Sequence, residues 1–281
     1  MTTRTARGRG RSARYAARRA ARSRTLGLLA RAGFAARGAL YVIIGCIAIG
    51  IAFGHSDHQA DSTGAMRLVA ATPAGLVALW LLVAGFIGLA LWRLSEAAYG
   101  ATGPGGQEAG TRLAALAKAV IYGFLTFSIL KYALGVGAPA SSNQQSADLT
   151  ATALHHPGGR VVVVAAGIGL IAGGAYIAYQ AWRKRFLQQL NLAGASVTAR
   201  RVVTRLGQAG GIARGVVFAA AGVFLAVAGV KARPGQAKGI DATLRAFAAT
   251  PLGPWLLVVV AAGLVTFGLF SCCEARWHKM S

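Results

Sequence analysis

Charged residues are scarce in this sequence, and acidic residues are the scarcest of them. Of 281 residues, 13% are charged and only seven are Asp or Glu, whereas soluble domains average roughly 25% charged residues. No polar stretch is long enough to fold as a separate water-soluble domain. The shortage of charge therefore excludes a chain of several soluble domains and indicates a membrane protein with short loops.

Cysteine and recognisable catalytic groupings are also scarce. Cys46, Cys272 and Cys273 are the three cysteines of the chain, too few for a disulfide framework, and a bond between neighbours would be strained. No serine or cysteine has a histidine placed beside it in a recognisable catalytic frame. We therefore expect reduced thiols and no enzymatic activity, cofactor or resident metal.

One loop leaves a metal alternative open. His55, Asp57, His58 and Asp61 lie within seven residues of each other, and histidine with carboxylate oxygens can bind a divalent cation. The competing interpretation is an ordinary solvated loop.

Six apolar runs dominate the remaining sequence. Residues are 55% hydrophobic with a mean hydropathy of +0.53, and a helix of about 20 apolar residues crosses a bilayer core. The 38 glycines suit close helix packing in lipid, where small residues let backbones approach. The sequence predicts an all-α fold with six membrane helices, at about residues 33–53, 75–92, 113–134, 161–182, 212–230 and 255–270.

A repeated pattern organises these six helices into three two-helix units. Leu29-x3-Gly33-x3-Arg37-Gly38-x2-Tyr41 returns as Leu206-x3-Gly210-x3-Arg214-Gly215-x2-Phe218. The middle unit places Ala114, Lys118, Ala119 and Tyr122 at the same spacing. The first helices thus carry equivalent cations, and the second helices carry equivalent polar residues at Glu96, Gln180 and Glu274.

The starts of the second helices repeat as well, in Thr72-Pro73, Thr250-Pro251 and a diverged His156-Pro157. Threonine can cap a helix, and proline is tolerated in a first turn. Because each unit crosses twice, all three units point the same way, as parallel repeats do around an axis along the membrane normal. The predicted divisions are a tail at 1–28, repeats at 29–105, 106–188 and 206–281, and a basic linker at 189–205.

Together these motifs resemble the bacterial membrane family called domain of unknown function 1206. RAGFAARGALYVIIG, AATPAG and GLALWRLSEA carry the resemblance, and their copies extend it over about residues 29–279. The second copy lacks the Arg-Gly pair and the Thr-Pro start. The resemblance implies a membrane location and six spans, with no established activity or catalytic residues.

Basic residues flank the predicted spans unevenly. The N-terminal tail, the 93–112 connection, the 183–205 connection and the C-terminus hold most of the arginines. The positive-inside bias then predicts that both termini are cytoplasmic. The resemblance implies that the membrane is the inner membrane of a bacterium. In the tail, one face of a helix would carry six arginines: Arg4, Arg7, Arg11, Arg14, Arg18 and Arg22.

That tail has two interpretations. It either docks on anionic lipid headgroups, at about 1 kcal/mol per basic residue, or only reinforces the topology. Membrane lipids and a membrane protein partner are the expected contacts, and nucleic acid is not, because the positive charge mainly flanks apolar spans.

The expected function is that of a non-enzymatic membrane scaffold or interaction partner. The alternative is a small-solute or anion permeation protein along the pseudo-threefold axis. A continuous polar lining of that axis would favour permeation, and a dry apolar centre would favour the scaffold.

Two finer predictions concern packing. Arg37 is expected to pair with Glu96, and Arg214 with Glu274, because the first helix of a hairpin starts beside the end of the second. Three glycine pairs are predicted to be helix contact faces: Gly50-x3-Gly54, Gly169-x3-Gly173 and Gly211-x3-Gly215.

Overall fold

The computed structural model describes residues 24–56, 58–100, 107–137, 140–250 and 252–278. The tail arginines from Arg4 to Arg22, Asp57 and Pro251 lie outside the described residues. Over the described ranges every regular element is a helix, apart from one isolated backbone bridge between Leu190 and His278.

Six of the helices are long and apolar enough to cross a membrane, as predicted. The shortest has 24 residues, which at 1.5 Å per residue is about 36 Å, more than the roughly 30 Å of a bilayer core. The protein is therefore an all-α, multi-pass membrane protein. The six are α1 (Arg24–Ala52), α3 (Gly75–Tyr99), α4 (Ala109–Ala133), α6 (Gly159–Trp182), α7 (Val197–Lys231) and α9 (Gly253–Trp277).

A short helix stands between the two long helices of every repeat. These are α2 (Ser62–Ala70), α5 (Ser142–Leu154) and α8 (Ile240–Ala248). The polar connection between α4 and α6 is partly helical, because the Ser141 hydroxyl accepts a hydrogen bond from the Gln144 amide at 3.1 Å and caps α5. The polar sequence of α5 has no apolar stripe that would have revealed it.

Helix α7 also differs from its predicted start at residue 212. It begins at Val197, where Ser196 caps it by accepting from the Ala199 amide at 3.2 Å. Most of the stretch predicted as the linker 189–205 is therefore the first part of this helix. Hydropathy marks only the part of a helix that suits lipid, and α7 continues beyond that part.

The closest helix packing joins one repeat to the next. The second helix of each repeat packs on the first helix of the following one: α3 on α4, α6 on α7 and α9 on α1. A Cβ atom on Gly38 would stand 2.7 Å from the Gly268 carbonyl oxygen, and one on Gly215 would stand 2.6 Å from that of Gly174. These two contacts occupy equivalent repeat positions, so the interface itself repeats.

Packing inside a repeat differs between the units. In the first repeat, a Cβ on Gly85 would be 3.2 Å from the Ala36 Cβ, and in the third repeat Gly263 lies against Ala213 at the equivalent place. In the second repeat, nothing among the described residues lies within 4 Å of a Cβ on Gly169. Helices α4 and α6 hardly touch, whereas α1 packs on α3 and α7 on α9.

The three predicted glycine faces have different outcomes. Gly211-x3-Gly215 is a contact face, with Gly211 against Ala181 and Gly215 against Gly174. The prediction for Gly169-x3-Gly173 was wrong, because α6 turns Gly167 and Gly174 towards α7 instead. The prediction for Gly50-x3-Gly54 was wrong too, because Gly54 follows α1 with a φ of +70° and has no neighbour within 4 Å in the described chain.

The threonine signals mark turns rather than helix caps. Thr72 donates its hydroxyl to the Val69 carbonyl at 2.7 Å, and Thr250 donates to that of Phe247 at 2.8 Å. A short helix ends just before each threonine, and the threonine hydroxyl donates to a carbonyl of that short helix instead of capping the next long one. The caps of α3 and α9 are Ala74 and Leu252, neither with a side-chain hydrogen bond.

In the second repeat the corresponding turn contains Pro157. Gly158 follows it with a φ of 79°, a left-handed conformation that favours glycine. Helix α6 then begins at Gly159, where a Cβ would clash with the Ala153 carbonyl.

Candidate functional site

Arg37 joins all three repeats at one end of the bundle. Its Nη1 donates to the Tyr122 hydroxyl of α4 at 3.0 Å, its Nε donates to the Ser271 hydroxyl of α9 at 3.1 Å, and its Nη2 donates to the Glu274 carboxylate. The side chain is 8% exposed. Its guanidinium also lies 4.9 Å from the ring centroid of Phe34, a favourable arrangement of a cation with an aromatic face.

The predicted ion pairs inside hairpins were wrong. Arg37 pairs with Glu274 of the third repeat, and Glu96 pairs instead with Arg93, one turn earlier on its own helix, at 2.6 Å. The reason lies in the packing, because α1 lies more closely against α9 than against α3. The pair therefore spans the interface between repeats.

Arg214 has no equivalent carboxylate. Its guanidinium lies 4.9 Å from the Phe267 ring centroid and 5.3 Å from that of Phe218. No ion pair to Arg214 exists among the described residues, and its Nε is buried without a hydrogen-bond partner. Arg37 of α1 takes its carboxylate from α9, the helix of another repeat that packs on α1. The helix that packs on α7 in the same way is α6, where the residue equivalent to Glu274 is the neutral Gln180.

Lys118 completes the group of cations. It is exposed, and the charges of Arg93, Arg214 and Glu96 all act on it. The repeat-equivalent cations Arg37, Lys118 and Arg214 are thus brought to one end of the bundle. We call the whole set the basic cluster: Arg37, Arg93, Lys118 and Arg214, with the carboxylates of Glu96 and Glu274. Its four cations exceed its two carboxylates by two charges.

His278 lies at the edge of the basic cluster, just beyond α9. It is 6% exposed and packs between the rings of Phe34 and Trp92, at centroid distances of 4.9 and 4.8 Å. Burial, with the nearby charges of Arg93, Arg37 and Lys118, lowers the pKa of His278 to about 3. The imidazole is therefore neutral at physiological pH, and its Nδ1 has no hydrogen-bond partner in the described chain.

The opposite end of the bundle is held by hydrogen bonds between the short helices. Asp61 caps α2 through the Gly64 amide at 2.9 Å and accepts from both the amide and the hydroxyl of Ser142 at 2.8 Å. Asp241 accepts from the Ala60 amide at 2.8 Å and from the Asn143 side chain at 3.1 Å. These bonds join the repeats in a closed cycle, which we call the polar ring: Asp61, Ser142, Asn143 and Asp241.

The polar ring bears on the metal alternative for the loop at 55–61. Asp61 is 0% exposed and both of its carboxylate oxygens already accept hydrogen bonds. Among the described residues no three possible ligands come together. The Asp61 carboxylate therefore holds the short helices together and does not face a solvated ion site.

Apolar side chains fill the space between the two ends. Ile44 of α1, Ile129 of α4, Val217 of α7 and Leu257 of α9 belong to one continuous buried cluster. Ile129 and Leu257 are both 0% exposed. The centre of the bundle is thus tightly packed hydrocarbon, with polar groups at either end.

Sequence reasoning missed several members of the site. Arg93 stands three residues before Glu96, a spacing that pairs side chains on one helix face, and this signal was available. Tyr122 appeared only as a repeat position. Ser271 and His278 carry no signal in the sequence, because their roles depend on how α9 lies against α1.

Comparison with known proteins agrees with the repeat. A family model described as Domain of Unknown Function (DUF1206) matches residues 32–100, 113–184 and 209–278, one match for every repeat. The chain belongs to the DUF1206 family. Similarity also extends to the uncharacterized protein YxxB of Bacillus subtilis (strain 168), which is 26% identical over 253 residues, covering 89% of this chain and 90% of the relative. No solved structure matches the chain.

Proposed function

We propose that this DUF1206 protein is a non-enzymatic scaffold or interaction partner in the bacterial cytoplasmic membrane. The packed apolar centre is the observation that carries this proposal. Ile129, Leu257 and Leu264 are at most 1% exposed and separate the basic cluster from the polar ring. An ion crossing this layer would lose its hydration without polar groups to replace it, which is costly in an apolar medium.

Anion permeation is the competing proposal, and the excess positive charge of the basic cluster favours it. In the described chain the charge stops at one end of the bundle, where Arg37 and Arg93 are already paired with carboxylates. The excess positive charge of the basic cluster is explained equally well by an anion-binding site at the end of a closed bundle and by an anion pathway through the bundle. The scaffold therefore remains the preferred function.

Vesicle flux distinguishes the two. The purified protein would be reconstituted into vesicles, and the efflux of chloride and of phosphate would be compared with that from protein-free vesicles. We expect each anion to leave the protein-containing and the protein-free vesicles at equal rates. Protein-dependent efflux that saturates with anion concentration would overturn the scaffold proposal in favour of permeation.

The orientation is part of the proposal. Basic flanks support cytoplasmic termini, with anionic headgroups as contacts of the basic face and a membrane protein as the partner. In a background free of native cysteines, Leu149→Cys, on the exposed face of α5, should react with an impermeant thiol reagent in intact cells. Arg183→Cys should react only after lysis, and the reverse labelling would overturn the orientation.

A further inference from the structure

The basic cluster has binding capacity that its own residues do not use. In the described chain, two polar atoms of the cluster and one at its edge are buried without a hydrogen-bond partner: Nε of Arg93, Nε of Arg214 and Nδ1 of His278. Arg93 is 9% exposed and His278 is 6% exposed. Burying such groups unpaired is unfavourable. Together with two uncompensated positive charges, they suit a ligand that is anionic and accepts several hydrogen bonds.

The repeat explains why this charge is uncompensated. Glu274 of α9 neutralises Arg37 of α1, and α6 lies against α7 through the same glycine contact. The position on α6 that corresponds to Glu274 holds Gln180, which is neutral. Arg214 is consequently a half-buried cation, with a buried Nε, whose repeat-equivalent carboxylate is missing.

Among the described residues the bundle is open on one side, and this side leads to the basic cluster. Every neighbouring pair of long helices packs together except α4 and α6. Lys118 stands on α4 at this opening and is exposed. Nearby apolar side chains are exposed as well, including Ile121 at 57% and Ile168 of α6 at 58%, so a hydrocarbon chain can lie against these helices.

We propose that an anionic phospholipid enters between α4 and α6 and places its headgroup phosphate on Lys118 and Arg214. A guanidinium offers several fixed N–H donors that match phosphate oxygens, and basic pockets between membrane helices are known to bind such headgroups. Inorganic phosphate shares this chemistry but has no acyl chain to occupy the apolar opening. The inference does not depend on the scaffold role, since either a closed or a conducting bundle can hold a lipid.

Native mass spectrometry of the full-length protein in mild detergent tests this site. Phosphatidylglycerol and phosphatidylcholine of the same acyl chains would be titrated separately, with inorganic phosphate as a competitor. We expect phosphatidylglycerol to bind more tightly. The double variant Lys118→Gln with Arg214→Gln should lose about 30-fold in affinity, because each basic residue at an anionic headgroup contributes about fivefold.

Two further variants separate the site from general charge and from misfolding. Arg183→Gln with Lys184→Gln removes two exposed charges just after α6 and should leave the affinity within about twofold, because those residues lie outside the cluster. Gln180→Glu supplies the missing carboxylate. It should weaken phosphatidylglycerol binding while the protein stays at least as heat-stable as the wild type.

Three results would overturn the inference. The first is equal affinity for the two lipids, and the second is an equal loss of affinity in the two double variants. The third is displacement of phosphatidylglycerol by inorganic phosphate at a similar concentration, which would assign the site to a soluble anion. The vesicle flux experiment is independent of all three, so failure of the scaffold proposal would leave this result unchanged.

Discussion

The first and third repeats are closed hairpins, and the second repeat is open. Gly85 lies against Ala36 and Gly263 against Ala213, but nothing in the described chain covers the equivalent Gly169. The middle unit keeps its place through its neighbours, because α4 packs on α3 and α6 packs on α7. The contact between repeats, and not the hairpin, is therefore the unit that holds this bundle together.

The difference follows the divergence of the sequence. The second repeat has Lys118-Ala119 where the others have Arg-Gly, and Gln180 where the others have glutamate. Its Gly167 and Gly174 lie against α7. The second repeat therefore has close glycine contacts to the following repeat, but no glutamate at the position of Glu96 and Glu274.

The largest expected effect comes from the ion pair that bridges the third and first repeats. Arg37→Gln should lower the free energy of unfolding by about 3–5 kcal/mol, because it leaves Glu274 buried without a counter-charge. The repeat-equivalent Arg214→Gln should cost clearly less, since Arg214 has no carboxylate partner in the described chain. Unfolding by denaturing detergent in mixed micelles measures both.

A double-mutant cycle locates the partner of Arg37. When Arg37→Gln is combined with Glu274→Gln, the loss in free energy of unfolding should fall well short of the sum of the two single losses. When Arg37→Gln is combined with Glu96→Gln, the single losses should add to within about 0.5 kcal/mol. Strong coupling to Glu96 and none to Glu274 would show that the hairpin, not the contact between repeats, holds this arginine.

A smaller effect is expected from adjacent glycines on α6. Gly174→Val should destabilise the protein by about 1–3 kcal/mol, because a side chain there overpacks the contact; its Cβ would stand 2.5 Å from the Ala219 amide nitrogen. Gly173→Val is the matched control, with open space at its Cβ, and should be nearly neutral. Unfolding by denaturing detergent measures both variants. An equal loss of unfolding free energy in the two would contradict the conclusion that Gly174, and not Gly173, faces α7.

Much of this fold is readable from the sequence because lipid imposes a length and a polarity on each span. The six helices and their threefold repeat follow from the apolar runs and from the spacing of Arg37, Lys118 and Arg214. The short helices α2, α5 and α8 were not predicted, because at 9 to 13 residues they are too short to span a bilayer. In α8 a signal was available, since Ile240, Leu244 and Phe247 recur at helical spacing. Asp61 and Asp241 have their roles only once these helices meet.

The charged site was only partly predictable for a related reason. Repeat spacing identifies Arg37 and Glu274 as special positions but does not say which repeats touch. That choice depends on close backbone approach at Gly38 and Gly268, where 2.7 Å separates a Cβ position from a carbonyl oxygen. A pattern along one chain shows equivalent positions, and packing between helices decides which of them become partners.

Cysteine crosslinking at the three equivalent hairpin positions tests the central comparison most directly. In a background with Cys46, Cys272 and Cys273 replaced, the paired substitutions would be Ala36→Cys with Gly85→Cys, Ala117→Cys with Gly169→Cys, and Ala213→Cys with Gly263→Cys. Disulfide formation in membranes under a mild oxidant would be followed by gel mobility after cleavage of the intervening loop at an inserted protease site. We expect the first and third pairs to crosslink rapidly, since their Cβ positions are so close that a slight separation of the helices brings them to disulfide distance, and the middle pair to remain reduced. Crosslinking of the middle pair as fast as the other two would contradict the open second repeat.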